Sequence, residues 1–175
     1  MNETPQKDMK MLIKASSQCT EQELQEFQRL VKMGGEVISW GLRNRIRSAS
    51  LLAFGYVGDL VVGITALKIP LPPYKKKVFE KSGLLHRYHE FERELGWVYV
   101  EPKWRGKRFS NELVKTLLSR VKDFNVFSTS RIEKLPMHKA LKKNGFIKGS
   151  KSFVSDQRHR LKMFLYDSIA MKAQE

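Results

Sequence analysis

The sequence contains very little cysteine and few acidic residues. Cys19 is the only cysteine among 175 residues, so the chain can form neither an intrachain disulfide nor a cluster of cysteine metal ligands. Asp and Glu number 18 against 33 Lys and Arg, which gives a formal net charge of +15 and a sequence pI of about 10.0. A charge of this size points to polyanionic partners, such as nucleic acid, an anionic membrane surface or a phosphorylated ligand.

The sequence also lacks an uninterrupted apolar run long enough to cross a membrane. The run 51–67 (LLAFGYVGDLVVGITAL) comes nearest, but Gly58-Asp59 interrupts it, and such a pair between two apolar runs is typical of a hairpin turn. We therefore expect two strands in the centre of a sheet and no transmembrane helix. The polar N-terminus, MNETPQKDMK, has no signal-peptide core, and with the single cysteine it predicts a cytoplasmic protein.

Length and patterning predict one globular domain over residues 1–175. The chain is 41% hydrophobic and long enough to bury a substantial core. Thr20 and Glu23 have the spacing of a capping box, so we expect a helix that begins there and ends at Gly34-Gly35. We expect a second helix over 36–47, with Val37 and Ile38 directed inward.

Residues 94–122 (ELGWVYVEPKWRGKRFSNELVKTLLSRVK) predict a strand, a basic turn and a helix. The strand has alternating apolar residues and ends before Pro102, which cannot donate to a sheet ladder. The helix shows apolar positions four residues apart. Its N-terminal N–H groups lack intrahelical partners and lie beside Arg105, Lys107 and Arg108, so this turn is suited to a phosphate group. The alternative is a solvated turn with no ligand.

This stretch resembles the acetyl-CoA-binding motif of the GCN5-related N-acetyltransferase (GNAT) superfamily. A second segment, 137–153 (MHKALKKNGFIKGSKSF), resembles the later helix–turn–strand of the same family, and the two segments have the family order and spacing. The resemblance implies an α+β acyl-CoA N-acyltransferase fold, in which helices flank a mixed, mostly antiparallel central sheet. It further implies transfer of an acetyl group from acetyl-CoA to an amine.

The resemblance also assigns candidate site residues. The donor would bind along the strand and the turn, through residues Val98, Tyr99, Val100, Arg105, Gly106, Lys107, Arg108, Phe109 and Ser110. A backbone N–H of the strand would polarise the thioester carbonyl, and Glu94 would be the catalytic base. Glu92 and Glu101 are alternative bases, and any of the three could be a surface carboxylate.

Two of the chain's departures from the family pattern bear on the donor site and on catalysis. Arg108 stands where the motif has a glycine, at a cost of about 1–2 kcal/mol if its φ is positive and little if it is negative. Leu141 stands where many members have a tyrosine that protonates the departing thiolate. These departures favour the alternative of a weak or inactive GNAT-like module that binds nucleic acid or another polyanion through its basic surface.

Two further expectations concern the acceptor and the variable part of the chain. Because the chain is so basic, we expect the acceptor amine to belong to an anionic macromolecule, with nucleic acid a possible partner. The segment at about 70–93 is expected to be an insertion before the motif strand. His86 and His89 within it are three residues apart, but no third ligand completes a site, so we expect no metal.

Overall fold

The computed structural model describes residues 8–35, 37–149 and 151–172, and within them it shows one eight-stranded sheet with helices on both faces. The strands are β1 (Lys10–Ala15), β2 (Leu51–Val57), β3 (Leu60–Lys68), β4 (Phe91–Val100), β5 (Asn125–Arg131), β6 (Ile147–Lys148), β7 (Phe153–Val154) and β8 (Arg160–Tyr166). The helices are α1 (Glu21–Met33), α2 (Leu42–Arg47), α3 (Pro72–Lys81), α4 (Phe109–Leu118), α5 (Leu135–Lys143) and α6 (Ser168–Lys172). The predicted α+β class is confirmed.

The strand order is β1-β2-β3-β4-β5-β8-β6, and β7 also pairs with β8. Every neighbouring pair is antiparallel except β4 and β5, which run parallel. The predicted hairpin at Gly58-Asp59 is confirmed: Gly58 has a φ of 60°, and β2 and β3 lie inside the sheet, as their nearly continuous apolar sequences require. No helix in the described ranges is long and apolar enough to cross a membrane.

The helices divide between the two faces of the sheet according to the alternation of strand side chains. Ala66 of β3 packs with α1 and α2, whereas its neighbour Leu67 packs with α4 and α5 on the opposite face. Val126 of β5 joins the α4 and α5 side, and Phe127 joins a cluster around Phe79 of α3. Helices α1, α2 and α3 therefore lie on one face of the sheet, and α4 and α5 lie on the other.

Two helix boundaries follow from local chemistry. Thr20 accepts a hydrogen bond from the Glu23 N–H at 3.2 Å, and the Glu23 carboxylate accepts one from the Thr20 N–H at 2.8 Å, which confirms the predicted capping box. Gly145 follows α5 with a φ of 87°, a conformation that favours glycine after a helix end.

The predicted second helix was wrong in its extent. It begins at Leu42, after Gly41 adopts a left-handed φ of 66° that helical residues do not share. Ile38 is 55% exposed, and Val37 is half-buried against the core around α1. Glu36 lies outside the described residues. The apolar periodicity therefore corresponds to a helix only over residues 42–47 of the predicted range.

The segment at about 70–93, predicted to be an insertion before the motif strand, contains a helix, a 3-10 turn and the start of a strand. Pro72 and Pro73 begin α3, where their fixed φ and missing N–H groups are tolerated. A 3-10 turn covers Leu85–Glu90, and β4 then begins at Phe91, three residues before the predicted strand start. Phe79 anchors α3 to the sheet by an edge-to-face contact with Phe127, with ring centroids 5.2 Å apart.

Candidate active site

The two parallel strands β4 and β5 separate after a short paired stretch. Residues 91–94 of β4 pair with residues 125–127 of β5, and the last pair is Glu94 with Phe127. Beyond this point β4 continues beside β3, and residues 128–131 of β5 pair with β8. Within the described residues, the edges of β4 and β5 that face each other beyond Glu94 and Phe127 therefore share no backbone hydrogen bonds. We call this gap the fork.

A β-bulge lies on the β4 side of the fork. Ile64 pairs with Tyr99 and Ala66 with Gly96, so β4 carries one residue more than β3 between these pairs. Trp97 occupies the bulge with a φ of 52°, which costs a residue with a side chain about 1–2 kcal/mol. Backbone strain of this kind is concentrated at functional sites.

The bulge changes the alternation that the sequence predicted for β4. Leu95 and Val98 pack on the α4 side of the sheet, whereas Trp97 and Tyr99 pack on the α1 side. Tyr99 and Val100 are buried. The side chains of the three strand residues predicted to bind the donor therefore belong mainly to the core, and only their backbone can face a ligand in the fork.

The basic turn combines exposed cations with two left-handed residues. Arg105, Gly106, Lys107 and Arg108 are all exposed, and the φ angles of Gly106 and Arg108 are 79° and 63°. Arg108 thus keeps the glycine-type conformation of the motif despite its side chain. The Arg105 Nε donates to the Val100 carbonyl at 3.0 Å, which ties the turn to the end of β4.

The N-terminus of α4 opens directly onto this turn. Phe109 is buried and stacks on Trp104, with ring centroids 6.2 Å apart, while Ser110 is half-buried. The Glu112 N–H donates to the Arg108 carbonyl, so the three preceding N–H groups come before the first intrahelical hydrogen bond. Exposed cations beside these amides fit a phosphate group.

Glu94 lies at the base of the fork and is only 3% exposed. Its Oε2 is 2.8 Å from the Lys68 Nζ, and its Oε1 accepts a hydrogen bond from the Tyr74 hydroxyl at 3.0 Å. The Lys68 ammonium also lies 5.0 Å from the centre of the Trp97 ring. This polar cluster of Lys68, Tyr74 and Glu94 occupies the face of the sheet that α1, α2 and α3 cover.

The two alternative bases are placed differently. The Glu92 side chain is 59% exposed and lies 3.7 Å from Arg93, and the Glu101 carboxylate is 3.3 Å from Arg29. Neither belongs to the polar cluster at the fork. Of the three carboxylates, Glu94 alone combines burial with that position.

Tyr74 connects the two strands across the base of the fork. Its hydroxyl donates to Glu94 of β4, and the Thr129 side chain of β5 is close enough to affect its pKa. Tyr74 is 40% exposed overall, but its hydroxyl points inward, where burial and the Glu94 charge raise its pKa well above the usual value. The hydroxyl therefore keeps its proton at neutral pH.

Sequence reasoning missed Tyr74 and Lys68. Each had a weak signal: Tyr74 follows the Pro72-Pro73 pair that begins a helix, and Lys68 is a charged residue at the end of an otherwise apolar strand. Neither signal identifies a partner, because the contact with Glu94 depends on how β3, α3 and β4 come together.

Leu141 cannot supply a proton to the fork. It is fully buried in the core between α5 and the sheet, on the face opposite the Glu94 cluster. The nearby His138 is also buried, and its Nε2 donates to the Arg131 carbonyl at 2.9 Å. Burial lowers the pKa of His138, so its ring stays neutral near pH 7.

The arginines of α2 are each held by hydrogen bonds or ion pairs, but a single carboxylate serves two of them. Arg43 and Arg47 both pair with the carboxylate of Glu21. Arg45 donates to the backbone carbonyls of Ile38 and Trp40. Burial and the Glu94 charge raise the pKa of Tyr74, and the Arg45 charge opposes them, so Arg45 acts electrostatically on the polar cluster.

No cluster of three metal-ligating side chains occurs among residues 8–35, 37–149 and 151–172. His86 and His89 are both exposed in the 3-10 turn before β4.

Comparison with known proteins supports the fold assignment. No protein-family model matches the chain, and no curated protein sequence matches it. Solved structures do match. An acyl-CoA N-acyltransferase from Pseudomonas aeruginosa aligns with a TM-score of 0.68 and 11% identity, over 91% of this chain and 100% of its own.

Two other solved structures align over similar lengths. FeeM, an N-acyl amino acid synthase from uncultured soil microbes, aligns with a TM-score of 0.69 and 9% identity over 95% of each chain. The putative acetyltransferase yncA from Salmonella typhimurium, solved with its cofactor acetyl-CoA, aligns with a TM-score of 0.61 and 11% identity, over 92% of this chain and 94% of its own. The chain therefore has the GCN5-related N-acetyltransferase fold, and the predicted resemblance is confirmed at that level.

Proposed function

We propose that this chain is an acyl-CoA N-acyltransferase that moves an acetyl group from acetyl-CoA to an amine. The observation that carries the proposal is the fork. A gap between two parallel strands lies beside a strained bulge, with a basic helix N-terminus at one end and a buried carboxylate at its base. The polyanionic coenzyme would bind at the helix N-terminus, and proton transfer would take place at the buried carboxylate.

The turn before α4 would hold the diphosphate of the coenzyme. Arg105, Lys107 and Arg108 supply exposed positive charge, and the first-turn amides of Phe109 and Ser110 supply donors. Hydrogen bonds between charged partners are about twice as strong as neutral ones, so these groups suit a diphosphate. Gly106 allows the left-handed turn that brings them together.

The backbone of Val98, Tyr99 and Val100 would receive the donor's extended arm. This edge of β4 has no partner in β5 within the described residues, so an arm with amide groups can add to it as a further strand. A backbone N–H beside the bulge would stabilise the oxyanion that forms at the thioester carbonyl. The bulge changes the direction of the backbone at this point, so the strained Trp97 conformation would help to orient that N–H group.

Glu94 would act as the base and Tyr74 as the nearby proton donor. An ionised carboxylate has about four acceptor sites, so Glu94 can accept a proton from an acceptor amine while Lys68 and Tyr74 still hold it. The Tyr74 hydroxyl remains protonated and lies at the base of the fork. It could therefore relay to the thiolate the proton that Glu94 takes from the amine, which Leu141 cannot do.

The acceptor would carry negative charge close to its amine. The chain has a net charge of +15, and the Arg45 charge acts on Tyr74 at the base of the fork. Like-charge repulsion disfavours free polyamines, whereas an amine on an anionic macromolecule is attracted.

Calorimetric binding of acetyl-CoA tests the donor site. The wild-type chain should bind acetyl-CoA, and Arg105→Ala should weaken binding about tenfold or more, since a charged hydrogen bond contributes about 1.5–3 kcal/mol. Arg120→Ala is the matched control, because Arg120 is equally exposed but lies beyond the other end of α4. Equal weakening by both variants, or no binding by the wild-type chain at millimolar coenzyme, would show that the turn is not a donor site.

A second candidate function is binding of a polyanion without catalysis. Specific observations favour it: the left-handed Arg108 strains the turn, and Trp40 is 88% exposed beside the backbone that Arg45 holds. An exposed aromatic ring among arginines can stack on a base of single-stranded nucleic acid. Strong, salt-dependent binding of single-stranded nucleic acid that Trp40→Ala weakens, together with no affinity for acetyl-CoA, would favour this function.

A further inference from the structure

We propose that Lys68 is itself an acyl acceptor, and that the chain transfers an acyl group from a thioester in the fork to the Lys68 ε-amine. This inference rests on the proposed function, because it requires a thioester donor in the fork. It goes beyond that function by naming a modified residue within the chain.

The course of the Lys68 side chain places its amine over the bulge. Lys68 ends β3 and pairs in register with Glu94 of β4. Its side chain runs across Gly96: a Cβ at Gly96 would lie 2.7 Å from the Lys68 Cε and 3.0 Å from its Nζ. Glycine is therefore needed at position 96 for this approach, and the amine lies beside the backbone that leads into the strained Trp97.

The surroundings of the Lys68 amine differ from those of a surface lysine. The side chain is 20% exposed, and its Nζ lies 2.8 Å from the buried Glu94 carboxylate. The rings of Trp97 and Tyr74 have their centres 5.0 Å and 6.0 Å from the same nitrogen. These groups hold an ammonium in one place, and the carboxylate among them can remove its proton.

The transfer balances with the groups at the fork. Glu94 takes a proton from the Lys68 ammonium, and the neutral amine attacks the thioester carbonyl carbon. The new C–N bond forms and the C–S bond breaks, so the acyl group becomes an amide on Lys68. Of the two protons that the nitrogen loses, one goes to the departing thiolate, through Tyr74 or directly from Glu94, and the other goes to solvent. No oxidant, reductant or further reactant is required.

Acylation would change the site. The amide of an acylated Lys68 has no charge, so Glu94 would lose its ion-pair partner. The added group would also lie near Trp97 and Tyr74 and would slow transfer to an external amine. The modification is therefore expected to stop at one acyl group at this position in each chain.

Mass spectrometry after incubation with acetyl-CoA tests the inference. The intact chain should gain the mass of one acetyl group, and peptide mapping should place it on Lys68. Lys14 provides the matched internal control, because it forms a similar ion pair with Glu23 at 2.5 Å and its side chain is 27% exposed, but it lies on β1 at the edge of the sheet. Both amines have a carboxylate beside them, but only Lys68 lies beside the fork, so Lys68 should react about 100-fold faster than Lys14 because a bound thioester is held close to it.

Three variants separate catalysis from simple reactivity. Lys68→Arg keeps a positive partner for Glu94 and should abolish the rapid modification. Glu94→Gln should slow it about 100-fold. Gly96→Ala should also slow it, because the added Cβ displaces the flexible end of Lys68 without a clash against backbone. Lys68→Arg and Gly96→Ala keep the test valid if Glu94→Gln fails to fold.

Calorimetry on the same preparations distinguishes the two ways in which the idea can fail. If the chain binds acetyl-CoA but Lys68 reacts no faster than Lys14, self-acylation is wrong and the proposed function stands. If acetyl groups spread evenly over the exposed lysines, self-acylation is likewise wrong. If the chain neither binds acetyl-CoA nor becomes modified, both proposals are wrong.

Discussion

Replacing Arg108 by glycine is expected to stabilise the chain. Arg108 has a φ of 63° at the start of α4, and the left-handed region costs a residue with a side chain about 1–2 kcal/mol. Glycine adopts this conformation without strain. It also raises the conformational entropy of the unfolded chain, which lowers the gain in stability by about 0.4–1 kcal/mol. The Arg108 side chain is exposed and makes no hydrogen bond or ion pair with the residues that the structure describes, so the substitution removes no such contact.

The net gain should be about 0.5–1 kcal/mol in the free energy of unfolding. For a chain of 175 residues, this corresponds to a rise in Tm of about 1–4 °C. Thermal unfolding followed by circular dichroism, together with urea unfolding at constant temperature, measures both quantities.

Two matched variants check the cause. Arg158 is exposed and has a φ of 62° in the turn between β7 and β8, so Arg158→Gly should give a similar gain far from the donor site. Lys107 is exposed and its φ is not positive, so Lys107→Gly should lower stability by about 0.4–1 kcal/mol. If Arg158→Gly stabilises the chain and Arg108→Gly does not, the reasoning is refuted, and the Arg108 side chain must stabilise the turn by another route.

Three further outcomes are expected. Thr20→Ala should cost about 1 kcal/mol of stability, because it removes the acceptor for the Glu23 N–H; urea unfolding measures this, and an unchanged midpoint would contradict it. Stability should fall as the pH drops below about 6.5, by at most about 1.4 kcal/mol per pH unit, because burial lowers the pKa of His138 and the unfolded chain binds the proton first; unfolding of wild type and His138→Gln at pH 7 and pH 5 should differ in this slope. Stability should also fall above about pH 10, because the Tyr74 hydroxyl has a raised pKa in the folded chain and the unfolded chain loses that proton first; the partly exposed ring reduces the effect, and a Tyr74→Phe variant with the same decline would contradict the assignment to Tyr74.

The parts of the fold that could be predicted from the sequence are those set by local chemistry. The Gly58-Asp59 turn and the Thr20 capping box both depend on residues close together in the chain. Periodicity located α4, and the motif identified its N-terminal turn. Periodicity failed over 37–41, where Gly41 interrupts the apolar pattern with a left-handed φ.

The parts of the candidate site that could not be predicted depend on contacts between distant residues. Glu94 was named as the base from its place in the motif, but its burial arises from Lys68 and Tyr74 on other elements. The bulge at Trp97 was also missed, because regular alternation in the sequence hides an extra residue that appears only against β3. The sign of the φ at Arg108 likewise had to come from the structure, and it is positive.

The short pairing between β4 and β5 makes the fork a seam between two halves of the sheet. Within the described residues, β1–β4 and β5–β8 share a ladder only from 91–94 to 125–127. A donor arm that added to the β4 edge would extend this seam, so the substrate would serve as a missing length of strand. Saturation with donor at about 100 times its Kd should then stabilise the chain by about 2.7 kcal/mol, and amide hydrogens of residues 95–100 should exchange more slowly. Part of the free energy of donor binding would then also stabilise the junction between the two halves of the sheet.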